Sequence, residues 1–218
     1  MKKYVVLSLF AIFLFEISGY SQDAKAKEIL TKVSDKTKSA QTIKADFKST
    51  LQNTAEDIEE SRNGKLLSVG EKYRIIMDDM EVLNDGKSIY TILEEAEEIQ
   101  INSIPEEGEM ADLSNPTDIA TLWEKGYKYE YKSSETINGK SYHLIHLYPK
   151  DPSDKDFHTI KLYVDPSSYT LKRIFIKGKS GTDIIYDISN FKINQSISQD
   201  QLTFKKSNYQ NFELIDLR

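Results

Sequence analysis

Between Gly64 and Ile101 the apolar positions fall in short runs, broken every few residues by turn formers. The runs are Lys72-Tyr73-Arg74-Ile75-Ile76-Met77, Met80-Glu81-Val82-Leu83, Ser88-Ile89-Tyr90-Thr91-Ile92-Leu93 and Glu97-Glu98-Ile99-Gln100-Ile101. Runs of this length bounded by turn signals are strands, not helices. Asn84-Asp85-Gly86 supplies residues that tolerate positive φ, which a tight reversal between strands requires. Gly70-Glu71 and Glu94-Glu95-Ala96 are weaker turns of the same kind. The stretch predicts an antiparallel meander with one apolar face.

The segments around it alternate between two periods. Ala26, Ile29, Leu30 and Val33 recur at helical spacing, so Asp23–Ala40 is an amphipathic helix that must lie on an apolar surface. From Thr42 to Leu51 the period drops to two, with Ile43, Ala45 and Phe47 on one side and Lys44, Asp46 and Lys48 on the other. Residues 55–63 are acidic and polar and read as a loop or the end of a long hairpin. Residues 102–115 carry Pro105, Gly108 and four acidic residues, and read as an exposed connection. Asn115-Pro116 then signals a helix of about ten residues, with Ile119, Ala120, Leu122 and Trp123 as its apolar face and Gly126 as its stop. Strands follow at 127–132, 140–148, 157–165, 171–177 and 182–193, with Asn138-Gly139 as a hairpin turn. A last strand lies near 212–217.

The total is roughly eleven strands and two helices, with no repeat and no biased linker. The fold class expected is α+β, mostly β, with one folded domain. A sheet this long has to curl to protect its edges.

The first residues change the picture. Met1-Lys2-Lys3 is positive, residues 4–15 are apolar apart from Ser8, and Gly19-Tyr20-Ser21 places small residues before Gln22. This is the pattern of a secretory signal peptide over residues 1–21, leaving 22–218 as the domain. The apolar run is too short to span a bilayer as a helix. There is no cysteine, hence neither a disulfide nor a cysteine-linked lipid anchor. The leader holds Lys2, Lys3 and Glu16, a net +1 within the chain's −6, which leaves the remainder at −7. An acidic chain without a basic block is a poor partner for nucleic acid or an anionic membrane.

Candidate chemistry is sparse. His143 and His146 sit at odd separation on one strand and point to opposite faces, so they cannot share a metal there; His158 stands apart. The clusters Glu94-Glu95, Glu97-Glu98, Glu106-Glu107 and Glu109 lack the oxygen spacing of a calcium loop. Asp151, Asp154 and Asp156 come nearer to it but are interrupted by Lys155. No nucleophile elbow, phosphate loop or zinc-hydrolase motif is present, so the chain is expected not to be an enzyme, with no cofactor and no metal. A hydrolase would need an unrecognised cluster of His, Asp or Ser. What is abundant is large apolar surface on strands: 13 Tyr, 9 Phe and one Trp. On a curved sheet these side chains either fill the concave face or line a hollow.

The order of leader, amphipathic helix, Thr42-Ile43-Lys44-Ala45-Asp46-Phe47, Gly64-Lys65-Leu66, Lys72-Tyr73-Arg74 and Asp85-Gly86-Lys87-Ser88-Ile89-Tyr90 resembles the periplasmic outer-membrane lipoprotein carrier family, LolA. Leu147-Tyr148-Pro149-Lys150, Phe204 and Phe212-Glu213-Leu214-Ile215-Asp216 fit the same pattern. Two places depart from it: Gly70-Glu71 stands where the family has an Arg-Pro pair, and Tyr90 where it has tryptophan. The resemblance implies an incomplete, strongly curved antiparallel β-barrel with helices covering its concave side as a lid. It implies a monomeric periplasmic carrier that takes lipid-modified proteins or lipids from an inner-membrane release complex to an outer-membrane acceptor. A lipid- or envelope-stress-sensing domain on the same fold is the alternative. The acyl-chain cavity would be lined by Phe47, Leu66, Tyr73, Ile75, Val82, Tyr90, Ile92, Ile99 and Ile101, with Ile119, Leu122 and Trp123 on the lid.

Overall fold

The computed structural model describes residues 17–105, 117–153 and 155–218. Residues 1–16 of the expected leader (1–21) and residues 106–116, with Glu106, Glu107, Glu109 and the expected Asn115-Pro116 cap, lie outside the described residues. One α-helix, α1 (Ile17–Ser39), precedes twelve strands. These are β1 (Ile43–Asn53), β2 (Ile58–Val69), β3 (Lys72–Met77), β4 (Met80–Asn84), β5 (Ile89–Leu93) and β6 (Glu98–Asn102). They continue with β7 (Tyr127–Ile137), β8 (Lys140–Pro149), β9 (Phe157–Val164), β10 (Leu171–Gly178), β11 (Asp183–Ile193) and β12 (Glu213–Asp216). All twelve form a single sheet in the order β12-β6-β5-β4-β3-β2-β1-β11-β10-β9-β8-β7. It is an open curved sheet with β12 and β7 at its edges. Every described pairing is antiparallel except β12, which runs parallel to β6. No described helix is long and apolar enough to cross a membrane.

The polar stretch 55–63 is the end of a long hairpin, one of its two expected readings, and holds the start of β2, paired with β1 from Asn53–Ile58 onward. A hairpin arm beyond the core needs only backbone hydrogen bonds, so it shows no apolar alternation. Around Trp123 there is no continuous helix but two 3₁₀ turns, Asp118–Ala120 and Leu122–Glu124. Their bonds span three residues, as in Thr121 N–H to Asp118 O at 2.8 Å and Glu124 N–H to Thr121 O at 3.0 Å. The Thr121 hydroxyl also donates to Asp118 O (2.9 Å), a local alternative to the helical ladder. The strand count is twelve, not eleven.

The core is lopsided. Ala26, Ile29, Leu30 and Val33, all nearly inaccessible, seat α1 on the inner face of β7–β10. There they meet Ile145, Leu147, Ile160 and Leu162, which are fully buried. The inner face continues through Ile174 and Ile176 of β10 to Ile184 and Tyr186 of β11, as the register dictates. Beyond β11 the helix no longer covers the sheet.

A smaller cluster sits on the outer face at the other edge. Ile92 and Ile99 are covered there by Tyr209, with Tyr90, Phe204 and Phe212 around them. Phe204 stacks on Tyr90 with ring centroids 4.1 Å apart, and on Tyr209 at 5.9 Å. Arg74 pairs with Glu81 and donates to the Tyr209 hydroxyl at 3.1 Å. The C-terminal segment is thereby fastened across the outside of β3–β6.

Candidate functional site

Where the helix stops covering the sheet, the inner face encloses a cavity of about 580 Å³. Its floor is β1, whose odd-numbered positions Ile43, Ala45, Phe47, Ser49 and Leu51 all face it. The neighbouring β2 and β3 contribute Leu66, Ile75 and Met77, and Met80 begins β4. On the other side β10 and β11 add Ile174, Ile176, Ile184, Tyr186 and Ile188. Phe47 lies flat over Gly64: a Cβ there would clash with three atoms of the ring, so only glycine lets the ring lie down. The ring also meets Tyr186 edge-on at 6.1 Å. A bulge in β11 opposite Ala45, with Asn190 at φ 48°, shifts the parity so that Phe191 also reaches the cavity.

One end of this hollow lies beneath α1 and the 3₁₀ turns. Val33, Lys36, Thr37, Ile119 and Ala120 line it there, with Tyr169–Leu171 from the β9–β10 turn. These pieces are tied to one another. Ser34, 1% exposed, donates through Oγ to Ala120 O (2.9 Å) and accepts from Trp123 Nε1 (2.7 Å). Lys36 Nζ donates to Ser168 O (2.7 Å), Lys38 pairs with Glu124 (2.6 Å), and Lys32 sits over the Tyr169 ring. The opposite end is polar, with Glu60 and Arg62 of β2 beside Leu51.

Of the twelve residues expected in the lining, Phe47, Leu66, Ile75 and Ile119 line this cavity. Tyr73 and Val82 share the inner face, opposite Asn84 and Ile75 respectively, but are not in the lining. Tyr73 is 2% exposed, and its hydroxyl is pushed up by burial and by the charge of Asp118. Asp118 is itself held above the ordinary carboxylate value by desolvation and by Glu71. Tyr90, Ile92, Ile99 and Ile101 require correction: they face outward. In the β4–β5 hairpin Asn84 pairs with Ile89 and Val82 with Thr91, so an even position in β4 shares a face with an odd one in β5. Four residues in the turn carry that change of parity, and β6 inherits it through Tyr90–Ile101 and Ile92–Ile99. Leu122 and Trp123 also lie outside the lining; they join α1 to β7, where Trp123 meets Tyr129 edge-on at 5.6 Å.

Several lining residues were missed. Ile43, Ala45 and Leu51 had the same parity as Phe47 and were legible by it. Ile184, Tyr186 and Ile188 were hidden because Ile185 between them is equally apolar.

The histidines lie on opposite faces of β8. His143 faces Tyr131 on the inner side (3.4 Å), and His146 meets Tyr148 on the outer (3.0 Å). Burial lowers both imidazoles, with the charge of Lys25 adding for His143 and those of Lys161 and Lys132 for His146. Asp154 lies outside the described residues; Asp151 accepts from Ser153. Among the described residues no three His, Cys, Asp or Glu side chains gather to hold a metal. The arrangement can take up hydrocarbon.

Comparison with known proteins agrees with this geometry. An uncharacterized protein of Methanocaldococcus jannaschii is 25% identical over 206 residues, 93% of this chain, and the chain spans 58% of that relative's length. A solved structure of an uncharacterized conserved protein from Thermus thermophilus superposes with a TM-score of 0.54 at 12% identity, covering 87% of this chain and 98% of that one, and so shares the fold. A LolA superfamily protein from Nitrosomonas europaea aligns over 82% of this chain and 97% of its own, at 14% identity and TM-score 0.42. Residues 38–205 match the family described as "Outer membrane lipoprotein carrier protein LolA", and the chain belongs to that family.

Proposed function

We propose that this protein is a periplasmic carrier that shields the acyl chains of lipid-modified proteins, or of a lipid, in the cavity under α1 during passage between the inner and outer membranes. The observation that carries the reading is the hollow itself. Its walls are Ile, Leu, Met, Phe and Tyr side chains, whereas most protein interiors are packed without such a gap. Burying one methylene is worth about 0.8 kcal/mol, so a chain of roughly 14 carbons approaches 10 kcal/mol. A carrier has to offset that loss in water and still release its cargo. A wall of adaptable side chains, roofed by short 3₁₀ turns and the end of one helix, suits both demands. The roof acts as the lid, held by Ser34 and the lysines of α1 rather than by the arginine that Gly70-Glu71 replaces. No nucleotide motif is present, so loading and delivery follow differences in affinity between a release complex, this chain and an acceptor.

The test is solubilisation. The mature chain is mixed with a synthetic acylated lipopeptide in detergent, the detergent is removed, and the mixture is centrifuged. The lipopeptide is expected to stay in the supernatant with the protein in a fixed ratio. Lipopeptide that sediments whether or not the protein is present would refute the reading.

A further inference from the structure

The cavity is not uniform along its length, and the gradient bears on which acyl compounds it admits. Three charged residues border it, Lys36, Glu60 and Arg62. Lys36, at the covered end, already gives its ammonium to Ser168 O. Glu60 and Arg62 stand two residues apart on β2, opposite Leu51 and Ser49 of β1, with both side chains on the cavity side. Arg62 makes one ion contact, NH1 to Asp79 Oδ2 at 3.2 Å, and its other donors have no partner among the described residues. Glu60 has none either. Among the described residues Asp79 Oδ1 is buried without a partner, and Arg62 is the one group that answers the Asp79 charge.

We propose that this end of the cavity is a collar that accepts an acyl chain in neutral ester or amide linkage and turns away the free carboxylate of a fatty acid. This rests on the carrier reading and specifies its cargo. A carbonyl oxygen needs only a spare guanidinium N–H, which Arg62 can give while keeping Asp79. A carboxylate at the same place has to share Arg62 with Asp79 while standing beside Glu60. Three negative charges then face one positive, and rejection comes from repulsion as much as from lost attraction. The distances suit the proposal. Ser49, opposite Arg62, is six residues from Ile43 at the covered end, about 20 Å at roughly 3.4 Å per residue. Half of a hydrocarbon core of about 30 Å is about 15 Å, so a chain from one leaflet fits between the collar and the roof without folding back.

The experiment titrates the mature chain at neutral pH with two fluorescent probes, cis-parinaric acid and its methyl ester. The wild type is expected to bind the ester at least about tenfold more tightly than the acid. Glu60→Gln and Asp79→Asn are each expected to tighten acid binding by several-fold, leaving the ester unchanged, and Arg62→Gln to weaken the ester. Glu60 is exposed and without a partner, so its variant keeps the fold even where Asp79→Asn does not. Equal binding of acid and ester by the wild type, or an acid affinity that Glu60→Gln leaves unmoved, overturns the collar while the acyl cavity stands. Failure of the wild type to bind either probe overturns the carrier reading and the collar with it.

Discussion

Replacing Ser34 by alanine removes one oxygen atom and breaks two buried hydrogen bonds. Ser34 Oγ ties α1 to both 3₁₀ turns: it donates to Ala120 O at 2.9 Å and accepts from Trp123 Nε1 at 2.7 Å. In the variant the Trp123 N–H and the Ala120 carbonyl both lose their partner next to an apolar core. An orphaned buried polar group costs about 1–3 kcal/mol. Trp123 is half-buried and Ala120 is 4% exposed, so water can reach the indole more easily than the carbonyl. Weighting the two accordingly gives a loss of about 2–3 kcal/mol. Methyl for hydroxymethyl leaves only a small void, which adds little. Urea unfolding followed by tryptophan fluorescence reads the effect directly, because Trp123 is the only tryptophan in the chain. The midpoint should fall with little change in slope, and the native emission should move to longer wavelength as the indole loses its fixed partner. Ser34→Thr keeps the hydroxyl and should recover part of the loss. A shift below about 0.5 kcal/mol in Ser34→Ala, within the range of ordinary surface changes, would show that the roof is not held through this node.

Other perturbations have outcomes set by the same contacts. Gly64→Ala would force the Phe47 ring up into open space, so acyl-probe affinity should drop by about tenfold while the thermal midpoint moves by only a few degrees; an unchanged affinity would mean that the ring does not set the floor. Phe204→Ala removes the ring sandwiched between Tyr90 and Tyr209, and should cost about 2–3 kcal/mol and speed hydrogen exchange in β12 and β6 but not in β8 or β9. His143 and His146 are both depressed by burial, so the unfolded chain takes up their protons first as pH falls. Their contribution to stability is therefore complete above the ordinary histidine value near 6.5 and is lost as pH drops through the lower folded values. Denaturation midpoints measured between pH 7 and pH 5 should fall in the wild type and flatten in a His143→Gln, His146→Gln double variant.

Much of the architecture was legible along the chain, and for identifiable reasons. The helix, the β1 alternation and the meander follow from local periodicity, because burial on one face imposes a period of 3.6 or 2 on the residues themselves. Gly86 and Gly139 mark their turns through positive φ, of 86° and 78°, which few other residues tolerate. The short Ile119–Trp123 segment also announced itself as apolar. Its 3₁₀ form did not, since Thr121 and the docking on α1 select the tighter turn only after the chain has closed.

The sequence by itself determined that this is a mostly β chain with an N-terminal amphipathic helix, without cysteine and without a recognisable reaction centre. It placed Phe47, Leu66, Ile75 and Ile119 within reach of a shared hollow. Only the tertiary structure decided on which face each strand's apolar set falls. Pairing Asn84 with Ile89 turned Tyr90, Ile92, Ile99 and Ile101 outward, where the C-terminal segment covers them. Only the fold could also show that α1 covers β7–β10 and stops short of β1. Periodicity records that a residue is buried against something; which surface buries it, and where nothing does, depends on strand register and helix placement, both set by contacts between residues far apart in the chain.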